Sequence, residues 1–308
     1  MTIYRGSAGL LQDLVRDPHR KNGEKKRKRA LVYPPAGKAG VVSAEMGHAL
    51  NEMGVDHESF DMVLGSSSGG YNATSFCTGQ AKEVTRVYAH LCPMSYWMPT
   101  VHNFQLLNLQ QYLTVLMREQ LRVERLDKIS ADLRIGVAYL HDGFAAEKWN
   151  RCPDVFQLLQ ASASIFPFWN GLMIGTELAM DGGYGDPSAV GHVVRRFLQK
   201  DEEVDVLVLS GRSELKYIPD SEWREYEFFL RTLFWAYPLA LSRALACRRK
   251  ITSFEQALST PERARIRIGA LFPSPEEIVH HDERDAPSLT QKALRVFDTS
   301  QRVFAAYA

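Results

Sequence analysis

Twice near its start, the chain repeats one pattern: a short apolar run, a glycine-rich turn, then an amphipathic stretch. This repetition constrains the fold more than any other sequence feature. Ala30-Leu31-Val32-Tyr33 stops at Pro34-Pro35 and passes through Gly37 and Gly40. Val42, Met46, Ala49, Leu50 and Met53 then fall on one face of a helix expected over about 41–53, with Gly54 as its stop. Asp61-Met62-Val63-Leu64 repeats the pattern, entering Gly65-Ser66-Ser67-Ser68-Gly69-Gly70 and a second helix from Tyr71 to Thr78. Strand, turn and helix in alternation predict an α/β fold in which helices flank a central, mostly parallel sheet.

The rest of the chain extends this frame. Leu106, Leu109, Leu113 and Leu116 give a helical stripe, and Leu133–Leu140, Glu177–Met180 and Val204–Leu209 read as strands. Arg265-Ile266-Arg267-Ile268 alternates cleanly, as a half-exposed edge strand does. Residues 1–28 read as a basic flexible arm ending in Lys25-Lys26-Arg27-Lys28, and residues 29–308 as one domain with a helical C-terminal portion. Such a charge run is commonly a solvated leader, and a contact with anionic lipid headgroups is the sharper alternative.

Composition narrows the function classes. Apolar residues make up 45% of the 308, which suits a core-forming protein. Lysine plus arginine number 37 and aspartate plus glutamate 36, so no global field favours nucleic acid or a membrane surface. Cys77, Cys92, Cys152 and Cys247 are scattered, and the N-terminus has no continuous apolar segment of the signal-peptide kind. The expectation is a cytoplasmic chain with reduced thiols and no metal or other cofactor, its membrane contact at most peripheral. The segment Phe228–Ala246 is apolar, but Arg231, Pro238 and Arg243 interrupt it, so it does not span. Its stripe of Phe229, Leu233, Ala236 and Ala240 fits a core helix better than a lipid interface carrying Trp235 and Tyr237.

Gly65-x-Ser67-x-Gly69 has the form of a nucleophile elbow. A serine on a sharp strand-to-helix turn exposes its hydroxyl at the end of the sheet, and small neighbours let the backbone bend that tightly. Pro34–Gly40 follows the first strand and opens a helix, which puts backbone donors from Gly37 and Lys38 near the elbow, where an oxyanion needs them. The same loop is not a P-loop, because Val32 stands where that motif requires glycine and Ala39 where it requires serine or threonine. Asp181-Gly182-Gly183 follows a strand and turns tightly enough to present a carboxylate inward. An ordinary Asp-Gly turn has the same sequence.

Together these segments resemble the patatin-like phospholipase family. Pro35–Gly40 stands where that family has its oxyanion loop, Gly65–Gly69 matches its elbow and Asp181–Gly183 its D-G-G segment. Gln160–Pro167 is similar to the Ala/Ser-rich stretch before the aspartate, and Pro187 to a proline shortly after it. The likeness covers about 29–187, with a weaker one through Tyr237-Pro238 and the Arg265 strand. It implies hydrolysis of lipid acyl esters by a Ser67–Asp181 dyad without histidine, through an acyl-enzyme. Gly37 and Lys38 would be the oxyanion donors, and Gly40, Gly65, Gly69, Gly182 and Gly183 the motif glycines. The chain departs from the family at the oxyanion loop, where Pro35 and Ala36 replace glycines and Ala39 occupies the basic position.

Two other readings remain open on sequence. A Ser-Asp-His triad would draw on His280 or His281, which lie in a charge-rich stretch. A relative that binds lipid or protein without catalysis, or only when a partner activates it, fits the altered loop.

Overall fold

The computed structural model describes residues 2–19, 27–94, 100–102, 105–107, 109–139, 143–165, 171–186, 188–212, 231, 262–263, 265–280 and 283–308. Residues 228–230 and 232–246 lie outside them, as do Lys25, Lys26, Leu140, Phe166, Pro167, Pro187, Cys247, His281 and Asp282.

The first half of the chain gives β1 (Ile3–Gly6), α1 (Ala8–Arg16), β2 (Lys28–Tyr33), α2 (Gly40–Glu52), β3 (Met62–Ser66), α3 (Ser68–Cys77) and α4 (Ala81–Leu91). A small hairpin of β4 (Thr100–His102) and β5 (Gln105–Leu107) precedes α5 (Leu109–Gln120). Then come β6 (Asp132–Tyr139), β7 (Gly143–Lys148), α6 (Val155–Ser162), β8 (Leu172–Ile174) and β9 (Glu177–Asp181). The chain continues with α7 (Val190–Leu198), β10 (Val204–Leu209), β11 (Glu262–Arg263), β12 (Ile266–Phe272) and α8 (Ala286–Ala305).

β12, β10, β2, β3 and β6 lie side by side in parallel, and antiparallel strands border them: β1 on β12, and β7 and β9 on β6. The expected α/β architecture is therefore present. β2, β3 and β10 are buried on both faces along most of their length, which is why they read as largely apolar runs. Within β2, Leu31 and Tyr33 face a core shared with α1 to α6 and α8, while Ala30 and Val32 face a second core capped by Val190, Val193 and Phe197 of α7.

The pairing of β6 positions the rest. β7 pairs with residues 134–139 of β6, overlapping both the stretch paired with β3 (132–136) and that paired with β9 (137–139). A strand has only two edges, so β3 and β9 must share the other one, end to end. Ser66 lies opposite Gly136 and Asp181 opposite Val137, the next position along. The two strands meet head-on, and the residues that leave them emerge together.

Three expectations are corrected. The start of the chain is not a flexible arm: β1 pairs with β12, and α1 buries Leu10, Leu11 and Leu14 in the main core. Beyond β1, the Thr2 hydroxyl donates to Glu277 and lies 2.7 Å from the Thr299 hydroxyl of α8. Nor are the described residues of the basic run solvated leaders. Arg27 bonds to Asp205 at 2.5 Å and Glu203 at 2.9 Å, and Lys28 to Asp61 at 2.9 Å. Second, β12 is not an edge strand, because it sits between β1 and β10. Its Arg267 is tolerated there by ion pairs to Asp205 at 2.5 Å and Asp13 at 2.7 Å. Third, Leu106 belongs to β5 rather than to the helix that begins at Leu109. Among the described residues, no helix is long and apolar enough to cross a membrane.

Leu11 is completely buried, so Leu11→Ala is expected to cost about 2–5 kcal/mol in denaturant unfolding. A flexible arm would leave the midpoint unchanged.

Candidate functional site

Ser67 is the residue between β3 and α3, with φ 57° and ψ −130°. A non-glycine residue with this backbone is strained, at a cost on the order of 1–3 kcal/mol, and persists only where its surroundings over-determine it. They do so here by close backbone contact. A Cβ on Gly65 would lie 2.0 Å from the Gly69 carbonyl oxygen, and one on Gly69 would lie 2.1 Å from the Tyr33 carbonyl oxygen. The elbow can therefore turn only if both positions are glycine, and its α3 limb presses directly on the end of β2. The Ser67 amide donates to Ser162 Oγ at 2.8 Å, and Ser162 Oγ donates to the Gly136 carbonyl at 2.6 Å. Ser162, at the end of α6, thus ties the elbow to β6. It falls in the Ala/Ser-rich stretch noted in the sequence, although nothing there marked which serine would matter.

Asp181 ends β9. Its amide donates to the Ser164 carbonyl at 3.0 Å, and its Oδ1 accepts from the Gly183 amide at 2.7 Å. Oδ2 is buried without a hydrogen-bond partner. Gly182 passes so close to the elbow strand that a Cβ would stand 2.1 Å from Ser66 Oγ and 2.5 Å from the Gly136 carbonyl oxygen. The Asp-Gly-Gly segment is therefore more than a surface turn, since it packs against the end of β3. Asp181 is 1% exposed and Ser67 4%.

Burial pushes the Asp181 carboxyl up to about 6, from an ordinary value of 3.8. The Ser67 hydroxyl, the Gly183 amide and the positive charge of Arg212 each pull it part of the way back. Ser67 and Asp181 leave adjacent positions along β6, and Oδ2 makes no hydrogen bond of regular geometry; such contacts in acid–base sites often tighten only when substrate binds. Among the described residues, none of the charges acting on Asp181 comes from a histidine. His280 is exposed, in the segment before α8.

The loop from Pro34 to Gly40 completes the arrangement. Gly37 has φ 59°, a left-handed conformation that suits glycine, and starts a short 3-10 turn running into α2. The first amides of such a turn have no partner within it, so the amides of Gly37 and Lys38 stand at a helix start. The loop adjoins both other segments: the Ala36 amide donates to Ser68 Oγ at 3.0 Å, and a Cβ on Gly183 would lie 3.1 Å from Pro35 Cγ. Gly40 is confined too, since a Cβ there would meet the Tyr88 hydroxyl at 2.4 Å. All nine residues singled out in the sequence thus belong to three segments that touch one another. Sequence reasoning missed Ser162, and also Arg212, which follows β10 beside the loop. A Cβ on Gly211 would lie 2.5 Å from the Ala39 carbonyl oxygen.

No family model matches the chain, and a search of curated proteins finds no significant match. Among solved structures, VipD from Legionella pneumophila is similar at 13% identity and a TM-score of 0.37, over 91% of this chain and 75% of that one. The type III effector protein ExoU is similar at 14% identity and a TM-score of 0.31, over 91% of this chain and 61% of that one. ExoU in complex with SpcU, from the type III secretion system of Pseudomonas aeruginosa, gives 14% identity and a TM-score of 0.32, with 92% and 61% covered. The chain thus spans less than two thirds of ExoU. Overlaps this loose leave the function to be argued from the chain's own geometry.

The raised proton affinity of Asp181 has a stability consequence. A carboxyl whose folded value lies above its unfolded one stabilises fully below the unfolded value, near 3.8, and that contribution is lost as pH rises through about 6. Asp181→Asn removes the buried charge. The variant is expected to exceed the wild type by roughly 1–3 kcal/mol at pH 7.5, with the gap closing towards pH 4. Thermal unfolding at the two pH values measures it, and equal gaps at both would contradict the assignment.

Proposed function

We propose that the chain is a serine acyl hydrolase of the patatin-like type, acting on the carboxylic esters of lipids. The observation that carries this reading is the head-on meeting of β3 and β9. It sets a strained serine at the start of a helix beside a buried carboxylate of raised proton affinity.

In this reading Ser67 Oγ attacks the ester carbonyl as its proton passes to Asp181 Oδ2. The amides of Gly37 and Lys38 and the N-terminal end of α3 stabilise the tetrahedral oxyanion. Collapse breaks the bond to the alkoxy oxygen, which leaves as the alcohol with the proton held by Asp181. Water then attacks the acyl-Ser67 carbonyl and gives a proton to the same carboxylate. The second collapse releases the carboxylic acid and returns the proton to Ser67. An aspartate near 4 is a poor proton acceptor, whereas one near 6 is matched to neutral pH. The mechanism needs no metal or organic cofactor.

The partner-activated alternative has one observation of its own. Ser67 and Asp181 are almost completely buried, so substrate entry requires some opening of the structure described. Among the described residues the triad reading has none, since no imidazole acts on Asp181; His281 lies outside them.

Incubation with a fluorophosphonate probe, followed by peptide mass spectrometry, is expected to find the adduct on Ser67 and none in Ser67→Ala. A folded wild type that takes up no probe would overturn the reading. Ser67→Ala and Asp181→Asn should each lower ester hydrolysis by about 10³-fold or more, and His280→Ala by less than about twofold. Asp181 must be ionised to accept the proton, so kcat/KM should rise through pH about 6 to a plateau above it. A midpoint near 4 would mean that the base is not this buried carboxyl.

A further inference from the structure

Lys38 has a second part to play, through its side chain. It is 4% exposed, and its Nζ donates to the carbonyl oxygens of Cys92 at 2.8 Å, Met94 at 2.6 Å and Glu283 at 3.3 Å. Three carbonyl acceptors match the three N–H donors of an ammonium group. Two of them lie just past the C-terminal end of α4, where the helix dipole and its unpaired carbonyls favour a cation. Burying an ammonium forgoes its hydration, and these carbonyls replace part of what is lost.

The acceptors are themselves held in place. The carboxylate of Glu283 pairs with Lys292 of α8 at 2.5 Å, and its carbonyl also accepts from Cys92 Sγ at 3.4 Å. The loop is pinned at its two ends as well. The Ala36 amide bonds to Ser68 Oγ, and Asn72 Nδ2 donates to the Gly40 carbonyl at 2.7 Å while its Oδ1 accepts from the Tyr88 hydroxyl at 3.2 Å. Between these pins stand Gly37 and Lys38, the residues whose amides face the elbow in the reading above. Gly37 restrains nothing by a side chain, so among the described residues the side chain of Lys38 is a principal hold on the middle of the loop.

We infer that Lys38 is a positioning residue whose side chain, anchored on the carbonyls beyond α4 and before α8, holds the oxyanion loop in register with Ser67. This rests on the acyl-hydrolase reading. It accounts for a loop that lacks two of the usual glycines yet keeps its amides at a helix start. The long side chain fixes from outside what backbone permissiveness does not fix from within.

The test compares the full-length wild type with Lys38→Met and Lys38→Arg, using a fluorophosphonate probe and an ester substrate. The rate constant for labelling is taken per serine finally labelled, so a partly folded preparation still gives a valid value. Lys38→Met is expected to label to completion at Ser67 but about 10- to 100-fold more slowly, as for partial loss of oxyanion contacts. Its kcat should fall by a similar factor with KM little changed, and the pH midpoint should stay near 6 because Asp181 is untouched. Lys38→Arg keeps the donors and should recover part of the rate. A labelling rate per serine within about twofold of wild type would overturn the inference, leaving Lys38 a purely structural residue. If wild-type Ser67 itself fails to label, it is the acyl-hydrolase reading that falls. The two failures are therefore separable.

Discussion

The site depends on one pairing arrangement, the sharing of a single edge of β6 by β3 and β9. Neither strand is long enough to cover that edge alone, and β7 holds the other over residues 134–139. Because β9 runs antiparallel and ends where β3 ends, two segments far apart in sequence deliver their last residues to one point. The close contacts follow from this. Gly182 must pass within reach of Ser66, Gly65 must lie against Gly69, and Gly69 must lie against the end of β2. Each glycine is required by a neighbouring backbone or side chain, and the turn at Ser67 is held by the sum of these contacts.

The same packing creates the electrostatics. A carboxylate with one oxygen bonded to Gly183 and the other lacking a partner is poorly solvated, and its proton affinity rises. That is a defect for stability and an asset for proton transfer, a trade often seen at functional sites. Elsewhere the protein treats buried charge differently. Asp205 is almost completely buried and is satisfied by Arg27 and Arg267, which lets a sheet carry arginine on an interior strand. Asp205 is doubly paired and Asp181 is not, and that contrast sets a structural carboxylate apart from the one proposed to take the proton.

Much of this was legible in the sequence, and what was not has a common cause. β2, β3 and their helices announced themselves because they are buried on both faces or along a stripe, so local pattern and tertiary fate agree. The elbow and the Asp-Gly-Gly segment were visible because tight turns demand small residues at fixed offsets. The meeting of β3 with β9 was not visible, since strand register is set by partners that lie outside any local window. Helix α1 was misread because Leu10, Leu11 and Leu14 sit in a short stretch whose flanks are polar, and only the neighbouring core gives them a place. The anchors of Lys38 could not be read at all. Its acceptors are main-chain carbonyls, which every residue possesses and no sequence distinguishes.

The pairing of β1 with β12 also bears on how the protein is made. At a synthesis rate of roughly 5–20 residues per second, β1 leaves the ribosome tens of seconds before its partner exists. β2, β3, β6 and β9 all precede β10 in the chain, so every strand of the serine–aspartate junction is made within its first two thirds. The outer part of the sheet waits for β10 and β12, and only then can Thr2 meet Thr299 and the leucines of α1 find their cover. Until β10 and β12 have been made, the edge of β2 and the apolar face of α1 lack the partners that cover them in the finished fold. Closure of the sheet by its last strands is therefore the step at which the protein escapes the hazards of aggregation.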